Sequence, residues 1–285
     1  MPSAMGSFRL SIAGVGFVVR VVGDHAREHV TARFGAFISD DDTPQDVLVT
    51  VTVDPQWRPA VTPAADFPAA DGTVLDSGRV SFVRLLDELT YDPTSRVATG
   101  WTTGTSLNLA PVIDPTPIDT PLRQLLSYEL PRRRGLLVHA CGFADPRGAV
   151  VFMAPSGGGK TTTARKLPHA TVLSDDQVAL RWTADGWWAW SLPFVGEYAR
   201  AIRPQKARLR AVVLLSRASN VSLLRLPART ALPRVLSGTV YFVRGDPGSA
   251  ALLDHAIDLV ASVPVYNLGI TRDAPVGPIL DETLR

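Results

Sequence analysis

The sequence has few of the features that mark several protein classes. Its 285 residues include one cysteine, Cys141, so no intrachain disulfide can form. Its net charge is +2, and no block of basic residues is interleaved with aromatic ones, which excludes an evident nucleic-acid surface. No apolar run approaches the length of a membrane helix, and the short apolar stretch 11–19 has no signal-peptide cleavage site after it. We therefore expect a cytoplasmic protein without a nucleic-acid or membrane partner.

The composition is that of a folded chain, and its pattern changes along the sequence. Hydrophobic residues make up 46% and charged residues 20%, enough for a sizeable core. Alternating valines over 47–53 indicate a half-buried strand, and similar patterns recur before residue 120. Prolines between 111 and 121 then punctuate the chain. We predict a smaller β-rich α+β domain over 1–120, for substrate recognition or assembly, and an α/β domain over 121–285.

The stretch Ala149–Thr163 has the order of a strand, a phosphate-binding loop and a helix. An apolar run ends at Met153, and consecutive glycines then allow backbone N–H groups to converge on an anion. Lys160 can reach β- and γ-phosphates, and Thr161 can place a hydroxyl on Mg²⁺. Ala154 stands where the Walker A pattern has its first glycine. The alternative to a phosphate-binding loop is a glycine-rich turn before an ordinary helix. The predicted nucleotide-binding residues are Pro155, Ser156, Gly157, Gly158, Gly159, Lys160, Thr161 and Thr162.

Acidic residues follow the next predicted strand. Ser174, Asp175 and Asp176 follow the strand 171–173, at the end that borders the ligand crevice of open α/β sheets. Phosphoryl transfer needs one carboxylate for Mg²⁺ and a base near the attacking hydroxyl. The alternative is a solvated turn or helix cap. His139 ends the strand before the loop strand and points to the same crevice, although a lone histidine in an apolar run is more often packed in a core. Glu197 lies in a second loop, Pro193–Glu197, and its spacing alone suggests a surface position.

These motifs together resemble the HPr kinase/phosphorylase-like kinases. That family has a Gly-x-Ser-Gly-x-Gly-Lys-Ser loop followed by an Ala-Asp-Asp motif. The matching residues here are Ser156, Gly157, Gly159, Lys160, Thr161, Asp175 and Asp176, with His139 placed like the family's histidine before its loop. Leu137–Ala140, Pro193–Glu197 and Val263–Leu268 look like stretches of smaller relatives found beside peptide-modification enzymes. The resemblance covers roughly residues 134–280 and implies the P-loop kinase fold shared with phosphoenolpyruvate carboxykinase.

The resemblance implies a Mg²⁺- and ATP-dependent kinase that phosphorylates a hydroxyl, above all serine of a peptide or protein. Its catalytic set would be Asp175, Asp176, Lys160 and His139, with His139 and Glu197 on the substrate side. Thr161 and one aspartate, assigned as Asp176, would hold Mg²⁺ and the other aspartate would be the base; the sequence leaves the reverse assignment open. Family members are commonly oligomeric, which implies a homo-oligomer. The long signature linked to dephosphorylation and to binding HPr is not recognisable, so neither is expected. The alternatives are a kinase of an amino acid or sugar, a non-catalytic P-loop regulatory module, and a structural protein with an incidental loop.

Overall fold

The computed structural model has a mixed α/β fold that consists mostly of strands. The residues it describes are 5–23, 26–39, 44–54, 56–57, 71–83, 87–102, 118–155, 158–167, 171–194, 196, 202–271 and 276–283. The strands are β1 Met5–Ile12, β2 Val15–Val22, β3 Val47–Val53, β4 Asp71–Val74, β5 Val80–Val83, β6 Asp87–Asp92, β7 Val97–Thr102, β8 Gly135–Asp145, β9 Gly148–Met153, β10 Thr171–Ser174, β11 Gln177–Thr183, β12 Gly186–Trp190, β13 Lys206–Arg217, β14 Ser222–Arg225, β15 Val243–Arg244 and β16 Val265–Ile270. The helices are α1 Ala26–Phe34, α2 Asp119–Glu129, α3 Lys160–Arg165, α4 Ala228–Ser237, α5 Ser249–Ser262 and α6 Val276–Thr283.

The chain divides into two compact units. The first contains Met1–Glu129 and the returning segment Tyr241–Pro247, and the second contains Leu130–Val240 and Gly248–Arg285. The predicted boundary between 120 and 121 is therefore too early. Helix α2 belongs to the first unit because it packs against β6, where the Tyr91 hydroxyl donates a 2.7 Å hydrogen bond to Glu129 Oε1. The return of 241–247 to the first unit was not predicted.

The first unit is built on one twisted sheet. Within the described residues its strands follow the order β1-β2-β3-β7-β6-β5-β4-β15. The valine alternation predicts the strand 47–53, and β3 confirms it: Val47, Val49 and Val51 are buried, whereas the residues between them are partly exposed. The returning strand β15 pairs in parallel with β4 and so forms the last strand of this order.

The second unit carries the predicted loop on a second sheet. Its described strands follow the order β10-β8-β11-β12-β13-β16-β14, and β9 pairs with both β8 and β13. Strands β9, β13 and β16 run parallel to one another, whereas β8 is antiparallel to its neighbours. The core beneath α3 and α6 is apolar and includes Cys141, Phe143, Phe152, Val213, Leu215, Leu268 and Val276.

Strand β8 changes partners in its middle. Up to His139 it pairs with β11 on one edge, and residues 238–240 bond to its other edge through His139 N to Gly238 O and Val240 N to Leu137 O. From Ala140 onward, β9 takes the place of residues 238–240. The sheet therefore forks at the boundary between His139 and Ala140.

Local sequence signals explain several elements of this unit. The apolar run after Gly148 predicts a strand, which β9 confirms. Asp185-Gly186 predicts a hairpin turn, confirmed by the antiparallel pairing of β11 with β12 and the positive φ of Gly186, 122°. No helix of the described residues is both long and apolar enough to cross a membrane.

Candidate functional site

The predicted phosphate loop joins β9 to α3 through a tight backbone path. Gly158 N donates to Pro155 O at 2.9 Å. A Cβ on Gly158 would lie 2.7 Å from Ala154 Cβ and 2.9 Å from Pro155 O, so a side chain does not fit there. Gly159 has φ 95°, a conformation that glycine adopts without strain. The glycines are thus explained by the path of the loop; Ser156 and Gly157 lie outside the described residues.

Lys160 is the first residue of α3, and its side chain folds back over the loop. Although charged, it is buried, and its Nζ donates to Ala154 O at 2.9 Å and to Pro155 O at 3.3 Å. The ammonium group therefore lies at the carbonyls that follow β9. Thr162 is exposed, and the side chain of Thr161 is not among the described ones. The loop brings a buried cation to the end of a parallel strand, which is the arrangement expected of a phosphate grip.

Cys141 lies directly beneath this loop. Its thiol is fully buried and contacts the carbonyl oxygen of Lys160 at 3.5 Å. Burial raises the pKa of the Cys141 thiol to about 12, the positive charge of Lys160 opposes that rise, and the negative charge of Asp175 adds to it. Lys160 and Asp175 therefore lie within electrostatic reach of one buried atom. The loop and the acidic pair, predicted separately, share one edge of the sheet.

The two aspartates have different surroundings. Asp175 is buried, and its Oδ1 accepts a 2.8 Å hydrogen bond from Gly196 N. A Cβ on Gly196 would lie 2.9 Å from Asp175 Oδ2 and 3.1 Å from Asp176 Cβ, so the backbone of the second loop rests on the pair. Asp176 is more open, with 26% of its side chain exposed. Glu197, the next residue of this loop, lies outside the described residues.

His139 contacts the acidic pair. Its Nδ1 lies 3.3 Å from Asp176 Oδ1. The next residue of β8, Ala140, also bonds to this aspartate, because Ala140 N donates to Asp176 O at 3.0 Å. Alternation along β8 puts His139 and Cys141 on the same face. The structure thus brings together His139, Asp176, Asp175 and Lys160.

Gln177 belongs to this group and was not predicted from the sequence. It faces His139 in the β8–β11 register, so both side chains project from the same face. It is 7% exposed, and its Oε1 has no hydrogen-bond partner among the described residues. A buried unpaired amide oxygen is unusual and marks a place where a ligand can supply the donor. Its position directly after the aspartates was the signal that could have identified it.

A cavity of about 660 Å³ opens next to these groups, at the fork of the sheet. It is bounded by the loop, by His139, by the end of β13 and by the end of α4. Parallel strands β9 and β13 both end at it, the position where open α/β sheets bind ligands. Its lining residues are His139, Met153, Ala154, Pro155, Gly158, Leu214, Leu215, Ser216, Arg217, Arg234, Ser237 and Gly238.

The donor set beside the loop suits a cation that is shared with a phosphate. Among the described residues, no group of three or more His, Cys, Asp or Glu side chains is arranged to hold a metal ion by itself. Magnesium in nucleotide sites is instead held by one or two protein oxygens together with phosphate oxygens. Asp176 and the predicted ligand Thr161 meet that smaller requirement in chemical type.

The described residues thus define an α/β protein with a glycine-rich loop, a buried lysine and an acidic pair at one sheet edge. A sequence-family model described as "SynChlorMet cassette protein ScmC" matches residues 122–274, more than half of the chain, and the protein belongs to that family. The matched range contains every predicted site residue. No curated protein matches the chain. The family description indicates a cassette-associated protein and names no reaction.

Proposed function

We propose that the protein is a Mg²⁺- and ATP-dependent kinase that transfers the γ-phosphate to a hydroxyl, most specifically serine of a peptide or protein. The observation that carries the proposal is that neighbouring residues of β8 contact both the loop and the acidic pair: Cys141 Sγ lies 3.5 Å from Lys160 O, and Ala140 N donates to Asp176 O at 3.0 Å. A phosphate-gripping cation and a carboxylate for proton or metal chemistry are the two parts that phosphoryl transfer requires. The order β9, loop, α3, β10 and acidic pair supports a P-loop fold of the HPr kinase type.

The chain's own groups would divide the work as follows. The backbone of residues 155–161 and Lys160 would hold the β- and γ-phosphates. The acceptor oxygen forms a bond to the γ-phosphorus while the bond to the β–γ bridging oxygen breaks, so ADP leaves and the hydroxyl proton passes to a carboxylate. Mg²⁺, held by Thr161 and one aspartate, would neutralise charge on the transferred group. The other aspartate accepts the proton, and His139 orients Asp176 through their 3.3 Å contact.

The cassette context is compatible with this acceptor. The family description names a cassette protein. A substrate made by a neighbouring gene, such as a peptide, would fit that context. The second candidate is a kinase of a small molecule such as an amino acid or sugar. The volume of the cavity favours it, because about 660 Å³ falls in the range of roughly 300–1,000 Å³ typical of small-ligand pockets.

The test is transfer of labelled γ-phosphate to serine peptides of randomised sequence and, separately, to free amino acids and sugars. Lys160→Ala is expected to remove transfer, because no other described cation lies on the loop carbonyls. Lys206→Ala is the matched control, since Lys206 is exposed on β13 against Trp190, and it should keep full activity. Transfer by Lys160→Ala at the normal rate would reject the assignment of the site.

A second measurement distinguishes the roles of the two aspartates. Asp175→Asn and Asp176→Asn should both lower turnover by about a hundredfold or more, as loss of a general base or metal ligand does. The variant that has lost the Mg²⁺ ligand should also need a higher Mg²⁺ concentration for half-maximal rate. Bound nucleotide without transfer to any hydroxyl acceptor would reject the kinase and favour a regulatory P-loop module.

A further inference from the structure

The cavity beside the loop is cationic. Its polar lining includes His139, Arg217 and Arg234 together with two serines, and none of the described residues that line it is acidic. Arg217 is exposed, whereas Arg234 is partly buried and therefore needs a counterion or a ligand to compensate its loss of water. The charge of the lining therefore points to an anionic ligand group.

Among the described residues, the side chain of Arg234 is held in place by a neutral group. It lies on α4, and its Nη1 donates to Asn267 Oδ1 at 2.8 Å. Asn267 in turn donates from Nδ2 to Ser216 Oγ at 3.1 Å, which fixes the amide on β16. In the part of the chain that the structure describes, no carboxylate lies within ion-pair distance of Arg234. A guanidinium group has five N–H donors in a planar fork, so the described residues leave most of the Arg234 donors available for an oxyanion.

The position of Arg234 favours contact with the acceptor over contact with the nucleotide. In the proposed function, the loop backbone and Lys160 bind the phosphates of the nucleotide. Arg234 lies instead on α4 and lines the cavity from that helix. The residue after α4, Gly238, is bonded to β8, because His139 N donates to Gly238 O at 2.8 Å. His139 contacts Asp176, so this side of the cavity adjoins the acidic pair. An acceptor with its hydroxyl at that pair extends along the cavity towards Arg234.

We infer that Arg234 binds a carboxylate that belongs to the phosphate acceptor. The inference deepens the proposed function and rests on it: the substrate class becomes a compound that carries a hydroxyl and a carboxylate close together. The carboxylate has two possible sources, an acidic residue beside serine in a peptide or the carboxylate of a free hydroxy-amino acid. Arginine favours a carboxylate here because its planar fork donates two parallel N–H bonds to the two carboxylate oxygens.

The first experiment measures binding to the full-length protein and needs no turnover. The probes are two fluorescent serine-peptide libraries that differ only by Asp or Asn at each flanking position in turn, and a second pair, free serine and serine amide. Wild type should bind the carboxylate member of one pair about ten- to a hundredfold more tightly, the range of a charge-assisted hydrogen bond. Arg234→Gln should abolish that difference by weakening only the carboxylate member.

Two further variants control for folding and for charge. Arg229→Gln removes an exposed arginine of the same helix and should keep the preference. Asn267→Asp is nearly isosteric and gives Arg234 an internal carboxylate partner, so it should reduce the preference while Arg234 is still present. Each variant is checked for an unchanged thermal unfolding midpoint and circular dichroism spectrum, and for its affinity for Mg²⁺-ATP.

The outcomes separate this inference from the kinase proposal. Carboxylate-dependent binding that needs Arg234, without phosphate transfer, would support the site and reject the kinase. Phosphate transfer with equal use of Asp and Asn peptides, and of serine and serine amide, would support the kinase and overturn the inference. A loss of Mg²⁺-ATP affinity in Arg234→Gln, with peptide discrimination intact, would also overturn it by assigning Arg234 to the nucleotide.

Discussion

Single side chains carry the link between the two halves of the site. The Cys141 thiol lies under the loop, and the charges of Lys160 and Asp175 act on it in opposite directions. His139 then connects the same strand to Asp176. Since Cys141 is buried and its thiol is protonated at neutral pH, its part is to fill space beneath the loop and not to react.

The first prediction concerns that thiol. At pH 8 in the native protein, Cys141 should not react detectably with a disulfide reagent, because a pKa of about 12 leaves about one thiolate in ten thousand and the sulfur is buried. In denaturant it should react fully at the rate of a free cysteine. The folded pKa is raised above the ordinary value of 9.0, so its contribution to stability is complete below pH 9 and is lost as the pH rises towards 12. Fast native labelling at pH 8 would contradict this placement.

At the scale of elements, the loop that contains Gly196 positions the acidic pair. Its backbone N–H bonds to Asp175, and the absence of a side chain at Gly196 lets the loop approach both aspartates closely. The sequence motif Pro193–Glu197 predicts a role for its glutamate, Glu197. Within the described part of that motif, Gly196 contacts the acidic pair.

Gly196→Ala is expected to impair catalysis more than folding. A Cβ there would lie 2.9 Å from Asp175 Oδ2, so the carboxylate must move, and a displacement near 1 Å can cost about a hundredfold in rate. Overpacking should cost about 1–3 kcal/mol in the free energy of unfolding. Initial transfer rates and denaturant unfolding measure the two effects.

Gly277→Ala is the matched control for that substitution. Gly277 lies in α6, and the nearest atom to its Cβ position is 3.7 Å away, so alanine fits there. It should keep the rate and slightly stabilise the helix. An equal loss of rate in both variants would mean that Gly196 has no special relation to the aspartates.

Much of the site could be predicted because its signals are local. The strand before the loop, the glycines, Lys160 and the acidic pair follow one another in the chain, and each has a short-range physical reason. Gln177 and Arg234 were not predicted because their roles depend on the β8–β11 register and on the docking of α4. Such long-range pairings leave no pattern in a single sequence. The boundary at 120 differs for the same reason, because the packing of α2 against β6 is a long-range contact. The return of 241–247 was not predicted because a two-residue strand at 243–244 gives no sequence signal.

On the scale of the whole molecule, the first unit is completed by a segment far along the chain. Tyr241–Pro247 contributes β15, Gly72 N donates to Phe242 O, and the Tyr241 hydroxyl donates to Asp246. A cut between Glu129 and Leu130 therefore does not yield two complete units. The family match, residues 122–274, crosses this segment as well.

Replacing Tyr241–Pro247 by a glycine/serine segment of equal length should destabilise the first unit selectively. That unit loses a strand and the hydrogen bonds that anchor it, whereas the loop, Lys160 and the aspartates all belong to the second unit. Calorimetry of the full chain should show one transition at lower temperature, and the transition that Mg²⁺-ATP shifts upward should persist. Loss of the nucleotide-dependent shift together with the first transition would show that the units do not unfold independently.

The partner change of β8 has a mechanical consequence. Residues 238–240 and β9 flank the same edge of one strand in succession, and the cavity occupies the notch between them. Among the described residues, both flanks pair with β8 and no ladder joins them to each other. A bound acceptor would contact residues 238–240 on one side and β9 on the other. Binding in the cavity would therefore reduce the relative motion of these two segments, which no strand hydrogen bonds of the described residues join directly.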